Sequence, residues 1–259
     1  MTTANATIES FVSGNVIDLE REEARQIQQS LLPDGRLVSD AVEIAYRFAP
    51  YSGVGGDFAD FFHLPNGTVA LYIGDVVGKG LSAAMYATLV MGMLRGTHKT
   101  GTDTATVLGT LNQRLLVRPV AGRYAATLYA LYDPTTRQLS FSNAGLPQPL
   151  LASGERCGRL GQGGLPSGLL TGSSYESHHL KLSPGDTVLF ATDGLTELRD
   201  AEDNDFGWDR LGEIWKHCRW KSAEEALDFV FDEAARFSDG GQAQSDDITA
   251  VVLKVPHEN

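Results

Sequence analysis

Four acidic segments of this sequence stand where apolar runs begin or end. Asp57 lies in GVGGDFAD (53–60), and Asp75 in GDVVGKG (74–80), directly after the apolar run TVALYI (68–73). Asp193 lies in ATDGLTE (191–197), and Asp246 and Asp247 in SDDITAVV (245–252). An ionised carboxylate at the lip of a buried strand is costly to desolvate unless a positive group meets it. Lys79 is the only basic residue inside these segments. If the four ends converge, a hard divalent cation suits them, because Mg²⁺ and Mn²⁺ prefer carboxylate, carbonyl and water oxygens. Glycines beside Asp57, Asp75 and Asp193 fit that chemistry by letting a backbone carbonyl come close. Taken singly, each motif reads as a turn or an Asx cap. Four of them on strongly apolar strands read as one shared site.

Other chemistries are poorly served. Neither GxGxxG nor GxxxxGKS/T occurs, so a nucleotide cradle has no support. Lys79, between two glycines, reads as a cap or solvated residue at a helix start more readily than as a phosphate grip. The six histidines (63, 98, 178, 179, 217 and 257) show no ligand spacing and read as surface or core residues. Trp208, Trp215 and Trp220 read as packing against a sheet, not as a base-stacking platform. Cys157 and Cys218 lack CxxC spacing, which excludes disulfide scaffolds and thiolate zinc sites. With 33 acidic against 21 basic side chains and a net charge of -12, no basic stripe exists to bind nucleic acid.

Positioning these residues falls to elements visible in the periodicity. Residues 1–15 are small and polar and are expected to fray. Across 17–32, Leu19, Ala24, Ile27 and Leu31 recur at helical spacing, and Pro33, Asp34 and Gly35 stop the helix. That stripe must pack on its own domain or on something else, so residues 17–32 are expected to serve a homodimer or a regulator. Strands are expected at 42–48, 68–73, 126–132, 139–143, 149–152, 178–182, 187–192 and 248–255. Helices are expected at 81–94, 104–116, 208–218 and 223–237. Strands in runs broken by helix pairs favour an α+β fold with antiparallel sheets. The division expected is a flexible N-terminus and lead-in helix over 1–35, then one domain over 36–259. No apolar run reaches the roughly 18 residues of a membrane span. The start, MTTANATIES, lacks the basic and apolar regions of a signal peptide. A cytoplasmic protein without membrane contact is expected.

Several longer blocks carry a resemblance. IQQSLLP (27–33), VGGDFADFF (54–62), IGDVVGKGLSAAMYATLVMGMLR (73–95), AATLYALYD (125–133), SFSNAGLPQPLL (140–151), GLPSGLL (164–170), LFATDGLTELRD (189–200) and SDDITAVVLKV (245–255) occur in that order. Together they resemble the metal-dependent protein phosphatases (PPM, 2C-like), SpoIIE/RsbU branch. The resemblance implies an α-β-β-α sandwich of two antiparallel sheets flanked by helix pairs. It implies a centre of two Mn²⁺ or Mg²⁺ ions and hydrolysis of phosphoserine or phosphothreonine by a metal-activated bridging water. The implied substrate is a phosphorylated STAS-domain anti-sigma-factor antagonist. Carried over by position, Asp57 and Asp193 each ligate one metal, Asp75 bridges both, and the Val76 carbonyl ligates beside it. Asp246 is the favoured ligand of the last motif and Asp247 its neighbour, with the register open by one. The chain departs from the eukaryotic branch of the family in two places, and from most relatives in the SpoIIE/RsbU branch in a third. Val77 and Gly78 stand where a histidine is expected after the bridging aspartate. Residues 48–56 hold no arginine, Arg47 lying upstream. Leu146 replaces the histidine of Asn-Ala-Gly-His. The alternatives are a non-catalytic pseudophosphatase that only binds a partner, and a phosphohydrolase of small molecules.

Overall fold

The computed structural model describes residues 18–97, 102–238 and 244–257; the polar leader and His98 lie outside them. The chain opens with α1 (residues 18–31), then β1 (Arg36–Val38), β2 (Glu43–Ala49), β3 (Phe58–His63) and β4 (Val69–Val76). Next come α2 (Gly80–Thr97), α3 (Thr104–Val117), β5 (Ala125–Asp133), β6 (Gln138–Ala144), β7 (Leu150–Ser153) and β8 (Arg156–Arg159). The last elements are β9 (His178–Lys181), β10 (Thr187–Ala191), α4 (Trp208–Lys216), α5 (Ala223–Phe237) and β11 (Ile248–Lys254).

The strands form two antiparallel sheets, one in the order β1-β2-β11-β10-β7-β8 and the other β3-β4-β5-β6-β9. Ile44, Leu71, Ile73, Phe141, Phe190 and Val251 fill the space between them. The helices α2 and α3 cover the outer face of the second sheet, packing Val90, Leu94 and Leu108 on Ala70, Tyr72 and Tyr129. On the other side, α4 and α5 pack Trp215, Leu227 and Val230 on Leu189, Ala250 and Val252. This is the α-β-β-α sandwich expected from the sequence. Because β4 sends Leu71 and Ile73 inward and Ala70 and Tyr72 outward under helices, TVALYI has no polar face. Strands buried on both faces read as continuous apolar runs.

Some expectations need correction. β3 lay hidden inside the aspartate motif, and β1 and β8 are short, largely exposed edge strands carrying arginines, a composition that discourages further pairing. The strands β9 and β10, separated only by the turn at 183–186, fall in different sheets. Trp215 is fully buried and Arg159 lies 5.2 Å over the Trp208 ring, as packing residues should. Trp220 departs: it sits in the link between α4 and α5, is 70% exposed, and stacks on His257 at 4.9 Å. Among the described residues no helix is long and apolar enough to cross a membrane.

Candidate metal centre

The acidic strand ends meet at one rim of the sandwich. Phe58 pairs with Gly74 in the β3–β4 ladder, which makes Asp57 and Asp75 neighbours at the end of one sheet. In the other sheet Ala191 pairs with Ala250. Asp193, just past β10, therefore lies beside Asp246 and Asp247, just ahead of β11. Antiparallel pairing brings the end of one strand to the start of the next, so segments distant in sequence share this rim.

A web of hydrogen bonds holds the loops. Thr192 Oγ1 donates to Asp57 Oδ2 at 2.8 Å and accepts from the Thr249 amide at 3.0 Å. Asp247 is buried; its Oδ1 accepts the Tyr51 amide at 2.8 Å and its Oδ2 the Gly56 amide at 2.7 Å. From α1, Gln28 Nε2 donates to the Gly55 carbonyl at 2.8 Å, and the Gly55 amide donates back to Gln28 Oε1 at 3.1 Å. Sequence reasoning missed Gln28, since a neutral amide in a helix carries no chemistry of its own. Its signal was a polar residue in register with Ala24 and Leu31, on the face that turns inward. The predicted stripe on this helix is split: Ala24 and Leu31 are half-buried, whereas Leu19 and Ile27 are 65% and 61% exposed.

The glycines serve close approach. A Cβ on Gly56 would stand 2.7 Å from the Val76 carbonyl oxygen and 3.4 Å from Asp75 Oδ1. Only glycine leaves that carbonyl and carboxylate open on the same side of the loop.

Electrostatically the rim is under strain. Burial raises the Asp57 carboxyl well above its ordinary range, and the nearby Asp75 adds to the effect. Burial raises Asp75 to about 7, with Asp193 and Asp246 pushing the same way and a hydrogen bond with Asp57 pulling down. Asp193 and Asp247 are raised as well, burial again leading and Asp246 contributing to both. Lys79 Nζ lies 3.1 Å from Asp246 Oδ2, donates to the Ser245 carbonyl, and sits 5.3 Å from the Tyr51 ring centroid. The lysine expected to cap or solvate a helix start instead reaches across to the other sheet's rim, because its turn points it there. Among the described residues Asp57, Asp75, Asp193 and Asp247 form no ion pair.

Divalent cations fit this donor set: hard oxygens, four buried or partly buried carboxylates outside any ion pair among the described residues, and the Val76 carbonyl kept open by Gly56. No three carboxylate, imidazole or thiolate groups among the described residues already close around one point. Mg²⁺ does not require that, since it takes one or two carboxylates and keeps several waters.

The residues at which the chain departs from the family patterns are accounted for elsewhere. Arg47 pairs with Asp228 and lies 5.1 Å over Phe231 on α5, away from the rim. Arg123, which the sequence did not single out, bonds the Val77 carbonyl and, at 2.8 Å, Ser82 Oγ. Leu146 is buried between the sheets, its amide held by Asn143 Oδ1 at 2.9 Å.

The family model described as Stage II sporulation protein E (SpoIIE) matches residues 65–256. Protein IcfG of Synechocystis sp. (strain ATCC 27184 / PCC 6803 / Kazusa) is 28% identical over 270 residues, covering 93% of this chain and 42% of that protein. The chain thus spans less than half the length of that relative. Phosphoserine phosphatase RsbU of Bacillus subtilis (strain 168) is 25% identical over 241 residues, covering 92% of this chain and 70% of RsbU. The solved SiaA-PP2C domain of Pseudomonas aeruginosa superposes with a TM-score of 0.81 at 21% identity, covering 94% of this chain and 98% of that one. A family match over residues 65–256, which takes in the Asp75, Asp193 and Asp246–Asp247 segments of the acidic rim, means that the chain belongs to the SpoIIE family and has the PP2C phosphatase fold.

Proposed function

We propose that the protein is a serine/threonine protein phosphatase dependent on two divalent cations, Mn²⁺ or Mg²⁺, and that it works in the cytoplasm. The observation that carries this reading is the convergence of buried carboxylates whose charges oppose one another and call for a cation. Asp57 and Asp193 would each hold one ion, and Asp75 would serve both, with the Val76 carbonyl as a further oxygen beside it. For the last motif we assign Asp246 as ligand, because both oxygens of Asp247 already accept backbone amides. Asp247 then positions the loop that carries Asp57. When bound, such ions supply Lewis acidity that activates water and offsets charge on the phosphoryl group. The protein contributes deprotonated oxygens at fixed places. Asp75, with a pKa of about 7 in the absence of a cation, must lose its proton to ligate, so cation uptake is favoured by rising pH.

The substrate in this reading is a phosphorylated STAS-domain anti-sigma-factor antagonist, supported by the motif resemblance and by kinship with a phosphoserine phosphatase. Leu19 and Ile27, exposed on α1, are the residues through which a second copy or a regulator would dock. The test is an EDTA-stripped preparation assayed on a phosphorylated STAS protein, phosphopeptides, nucleotides and small phosphate esters. No turnover without metal, recovery with Mn²⁺ or Mg²⁺, and preference for the phosphoprotein are expected. Full activity in EDTA, preference for nucleotides or small esters, or binding without turnover would each overturn the reading.

A further inference from the structure

Among the described residues, Lys79 is the cation in ion-pair contact with the acidic rim. Gly78 and Gly80, on either side of it, have φ of +104° and +68°, a backbone region that glycine enters without steric cost. The chain therefore turns sharply on both sides of Lys79, where β4 gives way to α2, and the side chain is sent off the helix. Its ammonium meets Asp246 Oδ2 at 3.1 Å, the Ser245 carbonyl, and the face of Tyr51. Each contact belongs to a loop that carries part of the site. Ser245 and Asp246 lead into β11, and the Tyr51 amide holds Asp247 Oδ1 at 2.8 Å.

We propose that Lys79 is a resident counter-cation that competes with the divalent ion for Asp246, so that loading the centre requires the ammonium to leave that carboxylate. The inference rests on the metal-centre reading above. Three features favour exchange over a fixed phosphate grip. The ammonium is directed at the carboxylate, a carbonyl and a ring face. The lysine side chain is 46% exposed, so it can swing into water. An ammonium is also a compact point charge on a flexible stem, unlike the rigid fork of arginine. Retained beside a loaded divalent ion, it would repel that ion; withdrawn from the empty rim, it would leave like charges facing one another.

The experiment uses calorimetric titration of Mg²⁺ and of Mn²⁺ into the EDTA-stripped full chain, with thermal melts of the stripped proteins alongside. Lys79→Met is expected to bind the divalent ion tighter, on the order of tenfold or more, and to melt at a lower temperature when stripped. Lys79→Arg, which keeps the charge and adds a rigid fork that holds a carboxylate, should show none of this gain and bind the ion no tighter than wild type. If Lys79→Met fails to fold, Lys79→Gln carries the same expectation. Affinity in Lys79→Met or Lys79→Gln equal to or weaker than wild type overturns the proposal. So does unchanged metal binding with a raised KM for phosphoprotein, the signature of a phosphate grip. Asp75→Asn and Asp193→Asn separate the two ideas. Their loss of metal binding beside an unaffected Lys79→Met refutes the lysine alone, whereas their unchanged binding refutes the centre itself.

Discussion

Replacing Asp75 by asparagine is expected to stabilise the stripped protein at alkaline pH while destroying its activity. The fold raises the Asp75 carboxyl from 3.8 to about 7, a change equivalent to about 4 kcal/mol. The sign follows from which form the fold prefers. A raised carboxyl pKa means that the folded state favours the proton. The contribution of this one carboxyl is therefore fully present below about pH 4 and is lost as pH climbs from there through about 7. Asparagine removes the charge, and it relieves Asp57, whose carboxyl Asp75 also raises. In EDTA at about pH 8 we expect Asp75→Asn to be more stable by about 2–4 kcal/mol, and nearly neutral at about pH 3. For a chain of this size that is roughly 5–10 °C in Tm. Urea unfolding followed by circular dichroism at both pH values reads the effect, and a phosphoprotein assay with metal should show a loss on the order of a thousandfold or more. A variant no more stable than wild type at alkaline pH would refute the electrostatic picture. Unchanged turnover would refute the role of Asp75.

Gly56→Ala places a methyl 2.7 Å from the Val76 carbonyl oxygen and 3.2 Å from Ala83 Cβ. It should cost about 1–3 kcal/mol by overpacking and depress metal-dependent turnover, whereas Gly92→Ala on the open face of α2 should add about 0.5–1 kcal/mol; equal effects in urea unfolding would contradict the close approach. Gln28→Leu strips both partners from Gly55, costing about 1–3 kcal/mol locally, and should speed hydrogen exchange around Gly55 with circular dichroism preserved. Ile27→Glu, on the exposed side of the same helix, should leave fold and metal binding intact and shift any self-association toward monomer in sedimentation; global unfolding would show that α1 is part of the core.

Much of this protein is legible without coordinates. Helix α5 (223–237) and a strand over 68–73, which the fold carries on to Val76, follow from local periodicity, and a carboxylate beside a buried strand shows its desolvation problem in one dimension. The α+β class with antiparallel sheets follows too, from strands in runs broken by helix pairs, whereas the sandwich is implied by the family resemblance. Tertiary structure alone decided which ends meet. Glu43 pairs with Lys254 across nearly the whole chain, and β9 and β10 separate into different sheets despite their short link. Such pairings are chosen by which faces become buried together, a quantity that no local window contains. The same holds inside the site. Asp246 and Asp247 are identical neighbours in sequence, yet the strand entering the sheet turns one toward Lys79 and the other into two backbone amides. Gln28 acquires its place at the rim only because α1 packs its inward face on the glycine loop. Residue type determined which groups could do chemistry; packing determined which of them face one another, because desolvation and charge act over a few ångströms of space, however far apart the residues lie along the chain.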